Sequence, residues 1–525
     1  MAESVQRETA KATEFELFDP ATGERLGSVP VLDKRQVEEA VAAARAAFAA
    51  WERTSFAERR KAILRACEVV TAEMDTIARL ISAETGKPVG EAISMEIAPV
   101  LDLMQFFAKR TAKILKPRRI SIGLYGLLGR RSKIVHKPWG VVAIIPAWNY
   151  PFSIPLGEAA MALMAGNTVV IKPAEATSLT GLLIGDIFQK AGVPKDVVTI
   201  VTGAGETGAA LVAARPDKVM FTGSVATGKK IAAEAAKELT STVLELGGKD
   251  PMIVFADANL KIAAKAAVWG AFCNAGQSCS SVERLYVERS AADELTRLIV
   301  EETKALKQGV GTDEDVSVGS MSSERQLRVV EDHVEDFRRE GATIVTGGRR
   351  REGTLFYEPT VITNTTNRMR GMREETFGPT LPIAIFDTER EAAELANDSE
   401  FGLTASVWSG DRARARRVAE QIHAGTVTIN EVLYTHGIGQ TPWGGFKNSG
   451  RGRTHGAAGL FELVQAQHIH ENLLAVLPDA WWMPYSPNAV KTFRAFATKF
   501  ATGSILKTAS MVPQLLRRIM ELRRK

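Results

Sequence analysis

The chain has 525 residues, 45% of them hydrophobic, and its 66 Lys and Arg against 61 Asp and Glu leave a formal charge of +5. That length exceeds one ordinary domain, so two or three are expected, and so small an imbalance gives no reason to expect a nucleic-acid partner. Cys67, Cys273 and Cys279 are too few and too scattered for a disulfide framework or a zinc site, so a reducing, cytoplasmic setting fits best.

From the N-terminus, MAESVQRETAKATEFELF holds no apolar core with a cleavage site, so no secretory signal is expected. No run of about 18 uncharged apolar residues is present to span a bilayer. Val37, Val41, Ala44, Phe48 and Trp51 recur at helical spacing and predict an amphipathic helix. RRSKIVHKP (130–138) alternates as an extended hairpin arm would. Then short apolar runs, VVAII (141–145), TVVIK (168–172), VVTIV (197–201) and KVMF (218–221), alternate with helix-compatible segments, and TVLEL and MIVF follow. Strands buried on both faces and alternating with helices imply a parallel, doubly wound sheet. A second α/β region, about 250–450, has candidate strands in RLYVE, TIVTG, LPIAIF and TVTIN.

The end of the chain differs. From Tyr485 onward there are nine Lys or Arg and one acid, Glu521, so a mildly acidic body precedes a strongly basic tail. Trp481, Trp482 and Tyr485 lead into Phe493, Phe496 and Phe500, and Val512, Leu515, Leu516 and Ile519 repeat that face. An apolar stripe opposed by basic residues suits a helix lying on an anionic membrane, with peripheral contact through 486–525. It equally suits a tail packed on a neighbouring subunit.

The strongest chemical signal is FCNAGQSCS (272–280). Cys279 follows Asn, Gly and Gln on a polar turn, and a thiol exposed near a helix N-terminus would have a lowered pKa and act as a nucleophile. The plain alternative, a buried structural cysteine, suits Cys273 better. Glu245, between two leucines at a strand end before Gly247 and Gly248, is costly unless it faces a cleft, where it could serve as a general base. Otherwise it is a salt-bridged carboxylate at a domain edge. Asn149, in PAWNY (146–150), could donate its amide to an oxyanion, or simply cap a helix or form a turn.

Three patterns compete for a nucleotide. Gly203, Gly205 and Gly208 form a literal GxGxxG, but Asp217 follows too soon for the acid that completes a dinucleotide fingerprint. GSVATGKK (223–230) nearly matches a phosphate loop, but Lys230 replaces the Ser or Thr that binds magnesium, which excludes a nucleotide hydrolase. What remains is a strand and a helix start able to meet a pyrophosphate. In IKPAEAT, Lys172 and Glu175 stand just past a strand end, where they could hold ribose hydroxyls or form an ordinary ion pair.

Together, PAWNY, KPAE, FTGS with Gly228, LELGGK, NAGQSC, EETFGP (374–379) and PWGGFKNSG (442–450) resemble the aldehyde dehydrogenase superfamily, from about Phe15 to about His470. The resemblance implies an α/β fold with a Rossmann-type cofactor domain (14–115 and 139–247) and an α/β catalytic domain (248–450). It also implies a β-hairpin oligomerisation arm (116–138 and 460–476) that builds a homodimer or homotetramer, followed by the tail (477–525). It implies Cys279 as nucleophile, Glu245 as the base that activates the deacylating water, and Asn149 as oxyanion donor with the Cys279 N–H. Cofactor contacts are implied at Pro146, Trp148, Lys172, Glu175, Gly205, Gly223, Ser224, Gly228, Glu375 and Phe377. The implied reaction oxidises a small-molecule aldehyde through a cysteine thioester with NAD, NADP being open. A carboxylate at Glu175 would repel a 2′-phosphate and favour NAD. LYTHGIGQ (433–440) offers no arginine for a second carboxylate, which favours a medium- or long-chain aliphatic or an aromatic aldehyde over succinate semialdehyde. A CoA-acylating semialdehyde dehydrogenase would have little use for Glu245 as a base. A non-catalytic, membrane-associated scaffold would have no use for Cys279, Glu245 and Asn149 together.

Overall fold

The structure, a computed structural model, describes residues 14–523. The stretch tested above for a secretory signal falls, up to residue 13, outside the described residues, as do Arg524 and Lys525 of the basic tail. The described chain forms two compact units: residues up to Ile114 with Pro138–Leu463, and Leu115–Lys137 with Val464 onward.

In the first unit the helix read from its apolar spacing spans Lys34–Trp51. Asp33 caps it by accepting the Gln36 N–H while the Gln36 side chain accepts the Asp33 N–H, so two otherwise orphaned donors are satisfied. Its buried face, Val37, Val41 and Ala44, joins Val141, Val170 and Val219 in one core cluster. That cluster belongs to a sheet built from β1 (Val141–Ile145), β2 (Thr168–Ile171), β3 (Val198–Ile200), β4 (Lys218–Thr222) and β5 (Ser241–Glu245). Helix α1 (Ser153–Ala165) follows β1, α2 (Gly205–Ala213) follows β3 and α3 (Val225–Ala236) follows β4. These five strands are parallel in the spatial order β5-β4-β1-β2-β3, and Gly450–Arg451 adds an antiparallel edge to β5. β1 and β2 are buried at every position, which is why they read as unbroken apolar runs.

The second sheet of this unit contains β6 (Asp250–Val254), β7 (Val282–Glu288), β8 (Thr343–Thr346), β9 (Thr360–Thr363), β10 (Thr380–Phe386), β11 (Thr404–Trp408) and β12 (Thr426–Ile429). Their order is β8-β9-β10-β7-β6-β11-β12, and only the β8–β9 pair is antiparallel. α4 (Leu260–Phe272) packs into the same core, with Met252, Leu285 and Val407. Because the other strands of each sheet run in parallel, their C-terminal ends gather on one side. In an open α/β sheet that is where ligands bind.

In the second unit, Arg130–Pro138 is a strand between Arg118–Ile120 and Val464–Asn472, as the alternating sequence predicts. Ser132 Oγ lies 2.8 Å from His470 Nδ1 and 3.0 Å from His468 Nε2. The tail folds into α5 (Pro487–Phe500) and α6 (Val512–Arg523) with a small core of its own, formed by Ala480, Phe496, Met511 and Leu515. Much of the apolar stripe is thus spent on packing within this unit. Trp482, Met483, Tyr485, Phe500, Leu506, Leu516 and Met520 stay exposed. Among the described residues no helix is long and apolar enough to cross a membrane.

Candidate active site

The turn after β1 carries Pro146, Trp148 and Asn149, and its backbone is heavily supported. Lys87 and Glu96 form a fully buried ion pair of 2.6 Å. Lys87 Nζ also donates to the Asn149 carbonyl at 2.7 Å and lies 4.3 Å from the Tyr150 ring centre. Glu96 accepts the N–H groups of Phe152 and Ser153 at 2.9 and 3.1 Å, from a π-helical turn, Ala92–Ile97, of the kind found at functional sites. The Asn149 amide donates to the Gln277 carbonyl at 3.0 Å, leaving its second N–H for another acceptor. Asn274 Nδ2 bonds both carbonyls, of Asn149 at 3.1 Å and of Gln277 at 3.0 Å. The PAWNY turn and the NAGQSC segment are therefore sewn together.

Cys279 corrects the sequence expectation in one respect. No helix starts there: Cys273–Gly276 is a short 3-10 segment broken by left-handed Asn274 and Ala275, and β7 begins at Val282. The thiol is half-buried, and burial followed by the charges of Asp250, Glu375 and Glu245 pushes its pKa up, so it is protonated at rest. Cys273 is buried, as its apolar neighbour predicts, and its thiol is likewise pushed up by burial.

Two glycines bring the motifs together. A Cβ on Gly248 would overlap the Cys279 carbonyl oxygen, and one on Gly276, whose φ is +72°, would overlap the Gly378 carbonyl. Both positions need glycine for close backbone approach. Gly248 also donates its N–H to Glu375 at 2.9 Å. Glu283, paired with Lys249 at 2.5 Å, accepts the N–H groups of Thr376 and Phe377, both at 2.8 Å. The ring of Phe377 meets that of Trp148 edge to face at 5.5 Å.

Glu245 ends β5, is buried, and has no hydrogen-bond partner on either carboxylate oxygen among the described residues. Burial, then the nearby charge of Glu158, raises its pKa well above the ordinary carboxylate value, with Arg453 opposing. It lines a cavity with Cys279, Leu103, Phe107, Ile154, Met161 and Trp443. Glu158, His436 and His455 share that cavity, and among the described residues no Lys or Arg lines it. Burial lowers His436 to about 4 and holds His455 well below the ordinary imidazole value, so both rings are neutral. Sequence reasoning missed Lys87, Glu96, Glu158 and His455. Glu158 did leave a signal, as the single charged residue of α1.

The remaining predicted residues lie along the ends of the first sheet. Lys172 is buried just past β2 and reaches Glu175 at 3.5 Å, while Glu175 is half exposed. Gly205 opens α2 with no atom within 4 Å of where its Cβ would be. Ser224 caps α3 by accepting the Thr227 N–H, and Gly223 and Gly228 bracket the helix start. The two helix starts and the half-exposed carboxylate thus stand past the ends of β3, β4 and β2.

Residues 6–469 match the model of the aldehyde dehydrogenase family. A 4,4′-diapolycopene aldehyde oxidase from Methylomonas sp. is 40% identical over 484 residues, covering 92% of this chain and 91% of that protein. A Mycolicibacterium smegmatis protein provisionally named succinate-semialdehyde dehydrogenase, NADP(+), is 39% identical over 85% of this chain and 87% of its own length. The crystal structure of an NAD-dependent aldehyde dehydrogenase from Sinorhizobium meliloti superposes with a TM-score of 0.85 at 37% identity, covering 90% of this chain and 93% of the other. With a family match over most of its length and an α/β fold shared with solved members, this chain belongs to the aldehyde dehydrogenase family of oxidoreductases.

Proposed function

We propose that this enzyme oxidises an uncharged, apolar aldehyde, aliphatic of medium or long chain or aromatic, to its carboxylic acid through a thioester on Cys279. One observation carries the substrate class: the cavity holding Cys279 is lined by Leu103, Phe107, Ile154, Met161 and Trp443 and by two carboxyls, with no cationic side chain among the described residues. An anionic aldehyde such as succinate semialdehyde would meet a carboxylate and no counter-charge there, which in a low-dielectric site is strongly unfavourable.

In this reading the Cys279 thiol adds to the aldehyde carbon once its proton passes to Glu245. The second Asn149 N–H and the Cys279 N–H stabilise the oxyanion. The nicotinamide cofactor would supply the hydride acceptor, while Cys279 holds the acyl group as a thioester. Glu245 then takes a proton from the water that cleaves the thioester, which favours hydrolysis over transfer to CoA. The residues fit such a cofactor. Gly205 leaves open space at the start of α2, and the N-terminus of α3 offers N–H groups and a positive dipole end to a pyrophosphate. Lys172 and Glu175 would hold the adenosine ribose, Gly223, Ser224 and Gly228 would surround the pyrophosphate, and Glu375, Phe377, Pro146 and Trp148 would frame the nicotinamide side. Glu175 favours NAD over NADP.

The domain roles follow the same reading: the first sheet as the cofactor half, the second as the catalytic half, and the three-stranded sheet of the second unit as an arm that pairs subunits. The exposed Trp482, Tyr485, Phe500 and Leu516 beside a basic surplus support peripheral contact of the tail with an anionic membrane.

One experiment tests these points together: kcat/KM for hexanal, dodecanal, benzaldehyde and succinate semialdehyde, with NAD and with NADP, with and without anionic phosphatidylserine vesicles. The apolar aldehydes with NAD should lead, and protein should sediment with vesicles unless 486–525 is removed. A preference for succinate semialdehyde overturns the substrate class, equal use of both cofactors overturns the role of Glu175, and sedimentation unaffected by the truncation overturns the membrane contact.

A further inference from the structure

Leu103, Phe107, Met161 and Trp443 make much of the wall around Cys279 apolar, yet a carboxyl group stands in that wall with an oxygen left open. Glu158 lies on α1, where all thirteen residues are buried, and it is the only charged one among them. Its Oε2 is buried with no hydrogen-bond partner among the described residues. A polar group in that state is costly, and a purely structural position would be served better by Leu or Met. Its neighbours on α1 are of that kind: Ile154 and Met161 face the same cavity with apolar side chains.

Glu158 is not alone. Ser153 Oγ and His455 Nε2 also belong to this cavity and are buried without a partner, while His455 Nδ1 lies 2.9 Å from Thr454 Oγ1. Burial pushes the Glu158 carboxyl up to about 8, so near neutral pH it mostly keeps its proton. A protonated carboxyl offers one O–H donor and a carbonyl acceptor, and an imidazole nitrogen adds one more donor or acceptor. A hydroxyl, which both donates and accepts, is the smallest uncharged group that satisfies them. Position along the helix sets where it would sit. At ~1.5 Å per residue, the step from Ser153, beside the Asn149 turn, to Glu158 is about 7.5 Å along the axis. A group that reaches Glu158 is therefore several bonds away from a carbon held at Asn149 and Cys279.

We propose that Glu158 is a specificity residue that binds a hydroxyl group of the substrate, so that the preferred aldehyde is an uncharged, otherwise apolar one with a hydroxyl several bonds from its aldehyde carbon. The inference rests on the apolar-substrate reading above and narrows it. The Glu158 O–H donates to the substrate hydroxyl oxygen, and the substrate O–H donates to the Glu158 carbonyl oxygen or to His455 Nε2. The carbon skeleton between the two ends packs on Leu103, Phe107, Met161 and Trp443. An aldehyde with a methyl group in place of that hydroxyl still fits, but it leaves the buried polar atoms unpaired, and this is what a site discriminates against most strongly.

The test is kcat/KM of the full-length enzyme for two pairs that differ only by a hydroxyl in place of a methyl group: para-hydroxymethylbenzaldehyde with para-ethylbenzaldehyde, and ω-hydroxyoctanal with nonanal. A third probe, para-(dimethylaminomethyl)benzaldehyde, is a cation at neutral pH. In at least one pair the wild-type enzyme should favour the hydroxyl member by about tenfold, the effect of one buried hydrogen bond. Glu158→Leu should abolish that preference, and Glu158→Gln, which keeps a donor and an acceptor, should retain part of it. Each preference is a ratio of two substrates on one enzyme, so a general loss of activity or of folded protein cancels. A wild-type enzyme without hydroxyl preference in either pair overturns the proposal, and so does one that takes the cationic probe best. Neither result needs a variant, so the proposal can fail even if Glu158→Leu does not fold. A wild-type preference that survives in Glu158→Leu places the hydroxyl elsewhere, for instance on Ser153, and overturns it too. If succinate semialdehyde outpaces every one of these probes, the apolar-substrate reading itself falls, so the two failures are told apart.

Discussion

The backbone beneath the candidate site and the cavity above it are built on opposite principles. In the turn around Asn149 the buried charges are paired: Lys87 with Glu96, and Glu96 with two N–H groups, while the Asn274 amide bonds two carbonyls. In the cavity, Glu158 Oε2, both oxygens of Glu245 and His455 Nε2 have no partner among the described residues. Charges that hold the turn are saturated, while the carboxyls that line the cavity are left open. On the function proposed above, the unpaired buried carboxyl of Glu245 would be a reacting group, while the paired one belongs to the scaffold.

The largest test of that division removes the reacting group itself. Cys279→Ala should abolish NADH formation with all four aldehydes yet leave thermal unfolding nearly unchanged, and residual turnover comparable to wild type would break the comparison. Next comes Asn149→Ala, which deletes a donor while the Lys87 contact to its carbonyl remains. A fall in kcat of about 100- to 1,000-fold with the fold intact is expected, measured by steady-state kinetics and circular dichroism. Last, Lys87→Met should act on stability first. It strands Glu96 as a buried carboxylate without its cation, at a cost of about 3–5 kcal/mol read from the denaturant midpoint. If Lys87→Met changed kcat tenfold without moving that midpoint, the scaffold assignment would be wrong.

Legibility followed the same line. Strands such as VVAII and MIVF were plain in sequence because both faces are apolar. β11, TASVW, sits next to β6 yet went unread, since its polar residues find partners only after folding: the Thr404 hydroxyl bonds Asp250 at 2.6 Å. Cys279, Glu245 and Asn149 stood out as candidates from their motifs, and the structure places Cys279 and Glu245 on one cavity and ties Asn149 to the Gln277 carbonyl. The ion pair beneath Asn149 was not, because Lys87 and Glu96 lie more than fifty residues away and ordinary Lys and Glu carry no mark of burial. The environment of the thiol was misjudged for a local reason. Left-handed Asn274 and Ala275 end the helical path before Cys279, so no helix dipole is available and burial dominates.

The enclosure that keeps the Cys279 thiol protonated bears on durability as well as on chemistry. Peroxide and alkylating agents attack the thiolate form, so burial that pushes the Cys279 thiol up slows its reaction with them. If Cys279 is the nucleophile, the same burial that holds back its ionisation would help keep its sulfur from being consumed by the wrong electrophile.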